Sequence, residues 1–315
     1  MPQAESAILA SAFRYFLAVA ENGSVRAAAK ELNIASSAVS RQIGMLERLL
    51  GIQLFDRVGR GLKLSEAGAL LMKNARSTLS AYGDVVSALN ALKGLKRGRI
   101  KIATVESISV GLLPGLLAAF WQKLPDIEIS VTVTGAEGVT RLVQNGEADI
   151  GFTFNPKAIE GLVVVYERPF SIGALMSPSH PLASRKTVSV MDCIEFPLAL
   201  PARGLSLRAA LDRVLSRRAV GKRPRIQSNS LRLMATLARR DGCIAFQTTI
   251  GIEDDLRQKS LVLIPLNDRK IPVNRFVVMC EKGRTANPAL TAFVEFARGH
   301  IQASADGLKA AKSGR

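Results

Sequence analysis

Histidine, cysteine and tryptophan are scarce in this chain of 315 residues, which has two histidines, three cysteines and one tryptophan. His180 and His300 have no histidine or cysteine neighbour at metal-ligand spacing, which argues against a His/Cys metal site and a histidine-based catalytic triad. Cys193, Cys243 and Cys280 are widely separated, with no C-x-x-C pair. Their odd number favours reduced thiols in a cytosol, and the simplest interpretation is three small buried apolar residues.

Long apolar runs and catalytic motifs are also missing. No stretch approaches the ~20 apolar residues that a membrane helix needs. Residues 1–11 contain no lysine or arginine, so we expect no secretory signal and a cytoplasmic location. Neither a glycine-rich phosphate loop nor a nucleophile paired with a base is present. The sequence therefore predicts a protein that is not an enzyme, holds no cofactor or metal, and does not use a membrane.

Basic residues outnumber acidic ones by 43 to 26, which gives a net charge of +17. With 48% hydrophobic residues, the chain is expected to fold rather than to form a disordered basic tail. A folded protein this basic is attracted to polyanions, and nucleic acid is the first candidate. Only +4 of the excess falls in residues 1–93 (11 basic, 7 acidic), and +13 falls in residues 94–315 (32 basic, 19 acidic). Charge alone therefore does not locate a DNA-binding surface.

Apolar residues at helical spacing predict three helices, over residues 11–21, 25–31 and 36–50. Asn22-Gly23 and Gly51 suit helix ends, and Ser24 suits a helix start. The inward positions are Phe13, Phe16, Leu17, Ala20, Ala28, Ala29, Leu32, Val39, Ile43, Leu46 and Leu50. Two short helices, a tight turn and a third helix are typical of a helix-turn-helix. In that motif, the first residues of the last helix contact base edges in the major groove.

Polar side chains at the start of this last helix point outward and are the candidate DNA contacts. Hydroxyls donate or accept hydrogen bonds, and arginine can bind guanine with two. The candidates are Ser36, Ser37, Ser40 and Arg41, together with Ser24 and Gln42. A plainer interpretation stays open, in which the serines cap a helix, Arg41 is solvated and the helices form an ordinary bundle.

Residues 53–64 predict a basic hairpin. Residues 53–55 and 62–64 suit two short strands, and the two glycines of residues 56–61 allow a tight turn between them. Arg57, Arg60 and Lys63 place positive charge at or near the tip. A basic hairpin after a helix-turn-helix is a wing, which suits contact with phosphates or the minor groove.

Residues 13–68 resemble the N-terminal domain of LysR-type transcriptional regulators. The matching runs are Ala28-Ala29, Ala38-Val39-Ser40-Arg41-Gln42-Ile43, Leu46-Glu47, Leu54-Phe55-Asp56-Arg57 and Ser65-Glu66-Ala67-Gly68. The resemblance implies DNA binding. Where Ala35 stands the family usually has Ser or Thr, and where Ser36 stands it often has Gln. The base preference of the family therefore does not carry over.

A long helix over residues 65–93 is predicted to follow, capped by Ser65. Its apolar stripe has heptad spacing and consists of residues 71, 75, 78, 82, 85, 89 and 92, widened by Leu79 and Val86. The stripe needs a partner, either the protein's own core or the same helix of a second subunit. The family resemblance implies the second partner, and with it a homodimer whose two DNA-binding domains bind two half-sites. It also implies that dimers associate into a homotetramer.

From residue 94 strands and helices alternate, which implies mostly parallel sheets with helices on both faces. The looser resemblance here ("GEADIGF", "GCIAFQ") implies two α/β subdomains of periplasmic-binding-protein-like type. We therefore predict an α+β multi-domain chain. The expected parts are a winged helix-turn-helix (1–64), a linker helix (65–93), an effector-binding domain (94–302) and a disordered tail (303–315). The first subdomain takes residues 94–167 and 270–302, and the second takes 168–269.

Ligands of such sheets bind at the carboxyl ends of strands, near helix N-termini. The loops at these ends supply the candidate effector contacts Thr104, Ser107, Gly135, Ala136, Arg203, Asn229 and Ser230. The family often has a hydroxyl where Ala136 stands, and ordinary loop capping is an equal alternative for every one of these residues. Glu106 is unexpected, because an acid there opposes a simple anion unless it receives a ligand amine or points to solvent. A helix is predicted over residues 206–217. Arginines crowd residues 203–225, where a solvated helix face and loop is the preferred interpretation.

The sequence thus predicts a sequence-specific DNA-binding transcription regulator. Its activity would respond to a small-molecule effector bound between the two α/β subdomains. An anionic effector is one candidate. Promoter DNA and RNA polymerase are the expected partners. The alternative is a solute-binding protein of transport type without enzymatic activity.

Overall fold

The N-terminal part of the chain folds into three helices, a hairpin and a long helix. The computed structural model describes residues 3–59, 61–92, 98–157, 159–215, 226–240, 242–282 and 287–313. The elements of this part are α1 Gln3–Asn22, α2 Val25–Glu31, α3 Ser36–Leu50, β1 Phe55–Val58, β2 Gly61–Leu64 and α4 Glu66–Leu92. The chain divides into two compact units, residues 1–89 with 145–147 and residues 90–144 with 148–315.

The core of the first unit forms where the three helices cross. Phe16, Ala28, Val39, Ile43 and Leu46 are all buried there, as their spacing predicts. The paired alanines of α2 lack bulk, so α1 and α3 pack closely against that helix. Two expectations were wrong: α1 begins at Gln3 rather than Ser11, and Leu50, predicted to face inward, is exposed at the end of α3.

The second unit contains two five-stranded sheets, each with its own helices and core. The first subdomain has strand order β4-β3-β5-β12-β6 and the second has order β11-β7-β10-β8-β9. The first comprises β3 Gly98–Thr104, α5 Glu106–Val110, α6 Leu112–Lys123, β4 Ile127–Val133, α7 Ala136–Gln144, β5 Ile150–Phe154, β6 Leu162–Phe170, β12 Asn274–Glu281 and α12 Pro288–Ser313. The second comprises β7 Gly173–Met176, α8 Val190–Cys193, β8 Leu198–Pro201, α9 Ser206–Leu211, β9 Ile226–Ser228, α10 Leu231–Arg240, β10 Ile244–Gln247, α11 Glu253–Arg257 and β11 Val262–Pro265.

Both sheets are mixed rather than mostly parallel. In the first, β3 pairs in parallel with β4 and β5, but β12 is antiparallel to β5 and β6. In the second, β8 pairs in parallel with β9 and β10, but β7 is antiparallel to β10 and β11. The antiparallel strands are those that carry the chain between the subdomains. The crossing lies between β6 and β7, after Phe170, close to the boundary predicted at about residue 168.

Two further expectations about chain ends differ from the structure. The last helix, α12, continues to Ser313, whereas the sequence predicted a disordered tail from residue 303. The helix predicted to run through residue 217 ends as α9 at Leu211. The basic residues at 217, 218, 222, 223 and 225 lie outside the described residues, as do residues 93–97. The three cysteines are buried and form no disulfide. None of the described helices is long and apolar enough to cross a membrane.

Candidate DNA-binding surface and ligand cleft

Helix α3 presents a polar face to solvent because its apolar face is fixed in the core. Val39, Ile43 and Leu46 are buried on one side. The exposed residues of its first two turns are Ser36, Ser37, Ser40 and Arg41. Gly51 ends the helix in the left-handed conformation, with φ 68°, which suits a residue without a side chain. The four residues that the sequence singled out therefore lie together on one accessible surface.

The N-terminus of α3 is not capped by a side chain. Its N-cap residue is Ala35, and no acidic residue lies in its first turn. By contrast, the Ser24 hydroxyl accepts a hydrogen bond from the Ala27 N–H at 3.4 Å and caps α2. An uncapped helix start carries N–H donors and partial positive charge, which suit a phosphate. The interpretation of Ser36 and Ser37 as mere caps is therefore wrong, while Ser24 does act as one.

Gln42 differs from its neighbours on α3. Its side chain is half-buried, and its Oε1 is shielded from solvent with no hydrogen-bond partner among the described residues. Burying an unpaired amide oxygen costs free energy. The sequence grouped Gln42 with the exposed DNA contacts, but the structure turns this oxygen away from that surface.

The predicted wing is a hairpin whose first strand begins two residues later than expected and whose second strand begins one residue earlier. β1 starts at Phe55 and the connection is residues 59–60, with Gly59 at φ 58°. Lys63 lies opposite Asp56, and Arg57 lies opposite Leu62. Because successive residues of a strand point to opposite faces, Arg57 and Lys63 lie on opposite faces of the hairpin. Both are exposed, and Arg60 lies outside the described residues.

Hydrogen bonds fix the wing to the helices on both sides. The Leu62 N–H donates to the Gly23 carbonyl at 2.8 Å, and the Leu54 N–H donates to Glu47 Oε1 at 2.8 Å. Glu47 therefore links the end of α3 to the start of the hairpin. The wing and the recognition helix form one rigid surface because each is bonded to the same small core.

The junction between the hairpin and α4 is the most tightly packed point of this surface. The Ser65 hydroxyl donates to the Gln53 carbonyl at 2.8 Å and accepts from the Gly68 N–H at 3.0 Å, so it caps α4 as predicted. Gly68 lies against the backbone of Leu54, and a Cβ there would be 2.1 Å from the Leu54 carbonyl oxygen. Only glycine fits this position without moving the backbone.

The apolar stripe of α4 is divided between two surroundings. Ala67, Leu71, Met72 and Ala75 pack into the core of the first unit. Further along, Tyr82, Val85 and Leu89 are 66%, 54% and 52% exposed. The protein's own core therefore covers the first half of the stripe, while Tyr82, Val85 and Leu89 of the second half are exposed in this chain.

The candidate ligand cleft is the place where the two subdomains of the second unit meet, near the carboxyl end of β3 and the start of α10. Thr104 is the last residue of β3, Ser107 lies in the α5 helix that follows, and both are buried. A Cβ on Gly251, from the second subdomain, would lie 2.8 Å from the Ser107 carbonyl oxygen, and Gly251 has φ 89°. The two subdomains thus approach each other backbone to backbone at Ser107.

The loops that follow β8 and β9 in the second subdomain lie side by side. Pro201 of β8 pairs with Ser228 of β9, so the residues that follow each strand share one edge. Arg203 and Asn229 are exposed in these loops. In the first subdomain, Gly135 and Ala136 begin α7, where Gly135 is exposed and its carbonyl accepts from the Val139 N–H at 2.9 Å.

Glu106 neither points to solvent nor stays unpaired. Its Oε1 accepts a hydrogen bond from the Ser230 hydroxyl at 2.7 Å, and its Oε2 accepts from the Leu231 N–H at 2.5 Å. Both partners belong to the second subdomain, at the N-terminus of α10. The structure therefore brings Glu106 and the predicted contact Ser230 together across the cleft.

A polar group that no sequence pattern predicted lies at the point where the chain returns to the first subdomain. The Asn155 amide donates to Asn274 Oδ1 at 2.6 Å, and the Ser206 hydroxyl donates to the same oxygen at 3.5 Å. Asn274 is buried, and Asn155 has φ 44°. These residues connect β5, β12 and α9, which are far apart in the sequence. No local sequence pattern could therefore predict that the three side chains hydrogen-bond to one another.

Glu253 is a second carboxylate at this interface. Burial raises the pKa of Glu253 above 4.5, although its Oε2 accepts a hydrogen bond from the Gly251 N–H at 2.8 Å. A Cβ on Gly111 of the first subdomain would lie 2.7 Å from the same oxygen. Glycine at 111 therefore leaves room for this carboxylate.

Glu253→Gln is expected to change how stability depends on pH. Because the folded protein binds this proton more tightly than the unfolded chain, wild-type stability falls as pH rises from about 4.5 through the raised pKa. The variant lacks this loss, so its stability relative to wild type rises with pH. Denaturant unfolding followed by fluorescence of the single tryptophan, Trp121 on α6, measures this unit. The exposed Glu128→Gln serves as control, and parallel profiles of wild type and Glu253→Gln would contradict the assignment.

Two family models match the chain. The one described as "Bacterial regulatory helix-turn-helix protein, lysR family" matches residues 10–69. The one described as "LysR substrate binding domain" matches residues 93–302. The first covers α3 and the wing, and the second covers both α/β subdomains.

Similar proteins agree with these matches. The RuBisCO operon transcriptional regulator of Allochromatium vinosum is 27% identical over 288 residues, which cover 90% of this chain and 93% of that protein. The probable HTH-type transcriptional regulator LrrA of Synechococcus elongatus is 33% identical over 181 residues, covering 58% and 62%.

Solved structures share the fold. A full-length OxyR variant from Pseudomonas aeruginosa has a TM-score of 0.68 at 16% identity and covers 92% of this chain and 94% of its own. Full-length CbnR complexed with its target DNA has a TM-score of 0.60 at 22% identity and covers 92% and 99%. The predicted fold, a helix-turn-helix domain with two α/β subdomains, is confirmed by these likenesses.

Proposed function

Because this chain belongs to the family of LysR-type transcriptional regulators, we propose residue roles for its DNA-binding and effector-binding domains. The winged helix and its family match favour this function over that of a solute-binding protein. A regulator of this kind acts in the compartment that holds the DNA, so the proposed location is the cytoplasm.

Helix α3 is proposed to enter the major groove by its N-terminal turn. The observation that carries this proposal is the exposure of Ser36, Ser37, Ser40 and Arg41 on a helix whose opposite face is buried. Arg41 would bind guanine through two hydrogen bonds, while the serines bind base edges or phosphates. The open start of α3 would bind a phosphate, and the wing residues Arg57 and Lys63 would bind the backbone.

Two copies are proposed to pair through the uncovered half of α4. Tyr82, Val85 and Leu89 form a stripe of apolar surface, and a second copy of the helix would bury it. Such a homodimer holds two reading heads at a fixed distance, which matches a pair of half-sites on duplex DNA. A homotetramer and contact with RNA polymerase extend this proposal.

The effector is proposed to bind between the subdomains, at the loops that carry Thr104, Ser107, Gly135, Ala136, Arg203, Asn229 and Ser230. These loops carry hydroxyl, amide and guanidinium groups, and they lie at or near the carboxyl ends of β3, β4, β8 and β9, where ligands of such sheets bind. A small molecule that binds one relative orientation of the subdomains better than another would shift the population between them.

Arg41→Ala is expected to lower affinity for a selected DNA sequence about 10- to 100-fold and for random DNA far less. The duplex would be selected from a random library with the full-length protein. Gel-shift titration at fixed salt would then compare it with a scrambled duplex. Arg57→Ala on the wing is expected to weaken both duplexes to a similar degree, because phosphate contacts do not distinguish sequence.

Arg48→Ala is the matched control, since Arg48 is exposed in the last turn of the same helix. Equal losses on the selected and scrambled duplexes for Arg41→Ala would show that α3 does not read bases through this residue. Loss of binding in Arg48→Ala equal to that in Arg41→Ala would point to general charge rather than to placed contacts.

A further inference from the structure

The start of helix α10 already carries an anion, supplied by the other subdomain. Glu106 is the first residue of α5, directly after β3 and Val105. Its two carboxylate oxygens accept separate hydrogen bonds, from the Ser230 hydroxyl and the Leu231 N–H. The carboxylate of Glu106 therefore lies at the N-terminus of α10, although Glu106 itself belongs to α5.

This helix end is built to receive a negative group. α10 spans ten residues and has no acidic side chain in its first turn, whereas Arg239 and Arg240 lie in its last. Ser230 caps the helix, because its hydroxyl accepts from the Leu233 N–H at 3.1 Å while donating to Glu106. The partial positive charge of the helix start and these directed donors together stabilise a carboxylate.

The receiving group is held rigidly. The Gln247 side chain, buried at the end of β10, donates to the Leu231 carbonyl at 2.5 Å. The Ser230 N–H donates to the Ser228 hydroxyl at 3.0 Å. Both bonds lie within the second subdomain, so the donors keep their positions whether or not Glu106 is present.

We propose that Glu106 is a built-in ligand of the cleft. Its carboxylate holds the two subdomains together at the start of α10 and excludes the carboxylate of a free ligand from that position. This inference rests on the proposed effector cleft and defines its specificity. An anionic effector of this protein places its negative group elsewhere, for example near the exposed Arg203, while the α10 end is closed to it.

Removing the side chain should convert this position into a carboxylate site. Glu106→Ala leaves the Leu231 N–H and the Ser230 hydroxyl without their acceptor, with space for a small acid. Sodium propionate is the probe, compared with sodium chloride at equal ionic strength and with neutral propionamide. The thermal unfolding of the full-length protein without DNA is followed by Trp121 fluorescence.

The expected result is a lower unfolding temperature for Glu106→Ala and a saturable rise of about 2–4 °C with propionate. Propionamide should give no comparable rise. Wild type and Glu106→Gln, whose side chain still fills the position, should not respond to propionate. The exposed Glu128→Ala, which loses only a surface pair with Arg99, should behave as wild type.

A wild type whose unfolding temperature rises saturably by about 2–4 °C with propionate would overturn the exclusion, and this arm does not need the alanine variant to fold. A folded Glu106→Ala that ignores propionate would show that the α10 end is not an anion site. Both outcomes are independent of DNA. A failure of the proposed function, seen as absent DNA binding in gel shifts, is thus distinguished from a failure of this inference.

Discussion

Gly68→Ala is expected to destabilise the first unit by about 1–3 kcal/mol or more and to abolish tight DNA binding. The added Cβ would lie 2.1 Å from the Leu54 carbonyl oxygen, which is backbone and cannot swing aside. The hairpin must therefore move away from α4, and with it the Ser65 hydrogen bonds that join the two elements. Circular dichroism on denaturant titration measures the stability, and gel shift measures the binding.

Gly83→Ala is the matched control for this prediction. Gly83 lies on the same helix, and a Cβ there meets nothing within 4 Å. Alanine at this position should keep or raise stability, by about 0.5–1 kcal/mol, because it favours the helix. If both substitutions had the same effect, the contact between Gly68 and Leu54 would not govern the junction.

Val85→Glu is expected to convert the protein to a smaller species in solution and to lower its DNA affinity about a hundredfold or more. Val85 is central in the exposed stripe of α4, and a carboxylate there would be buried against its copy in a paired helix. Loss of the pair removes the second half-site contact, and with it the gain from binding two sites at once. Sedimentation velocity gives the species, and gel shift on the selected duplex gives the affinity.

Ser77→Glu adds the same charge to α4 at an exposed position outside the stripe, and it should leave the assembly state unchanged. A Val85→Glu protein that sediments as wild type would exclude the uncovered half of α4 as the dimer contact. An unchanged assembly combined with weakened DNA binding would instead place this residue against DNA.

Features set by neighbouring residues were predictable from the sequence. The helix bounds of α2 and α3 and the caps Ser24 and Ser65 depend on side chains within a few positions, so the local pattern is sufficient. The two-residue turn of the wing was predicted less well. The pairing of Asp56 with Lys63 extends the strands beyond their apolar residues.

Contacts between distant parts of the chain were not predictable. Glu106 and Ser230 are separated by 124 residues, and nothing near Glu106 in the sequence indicates a helix start as its partner. Sequence analysis left two alternatives for this acid, a ligand amine or solvent, and neither describes it. The division of the α4 stripe into a buried and an exposed half was unpredictable for the same reason. Heptad spacing does not indicate which turns of the helix pack against the protein's own core.

The position of β12 in the chain also sets the order in which the parts of the protein can fold during translation. The helices and strands of the DNA-binding domain are contiguous in the sequence, from α1 to β2, so this domain can fold as soon as it leaves the ribosome. The sheet of the first subdomain cannot close then, because β12 lies between β5 and β6 and follows the entire second subdomain in the chain. Until β12 has been synthesised, the backbone N–H and C=O groups of β6 and of the facing edge of β5 have no strand to pair with. Such unpaired edges can pair with strands of other chains. A nascent chain therefore carries a finished DNA-binding head before it carries a working sensor.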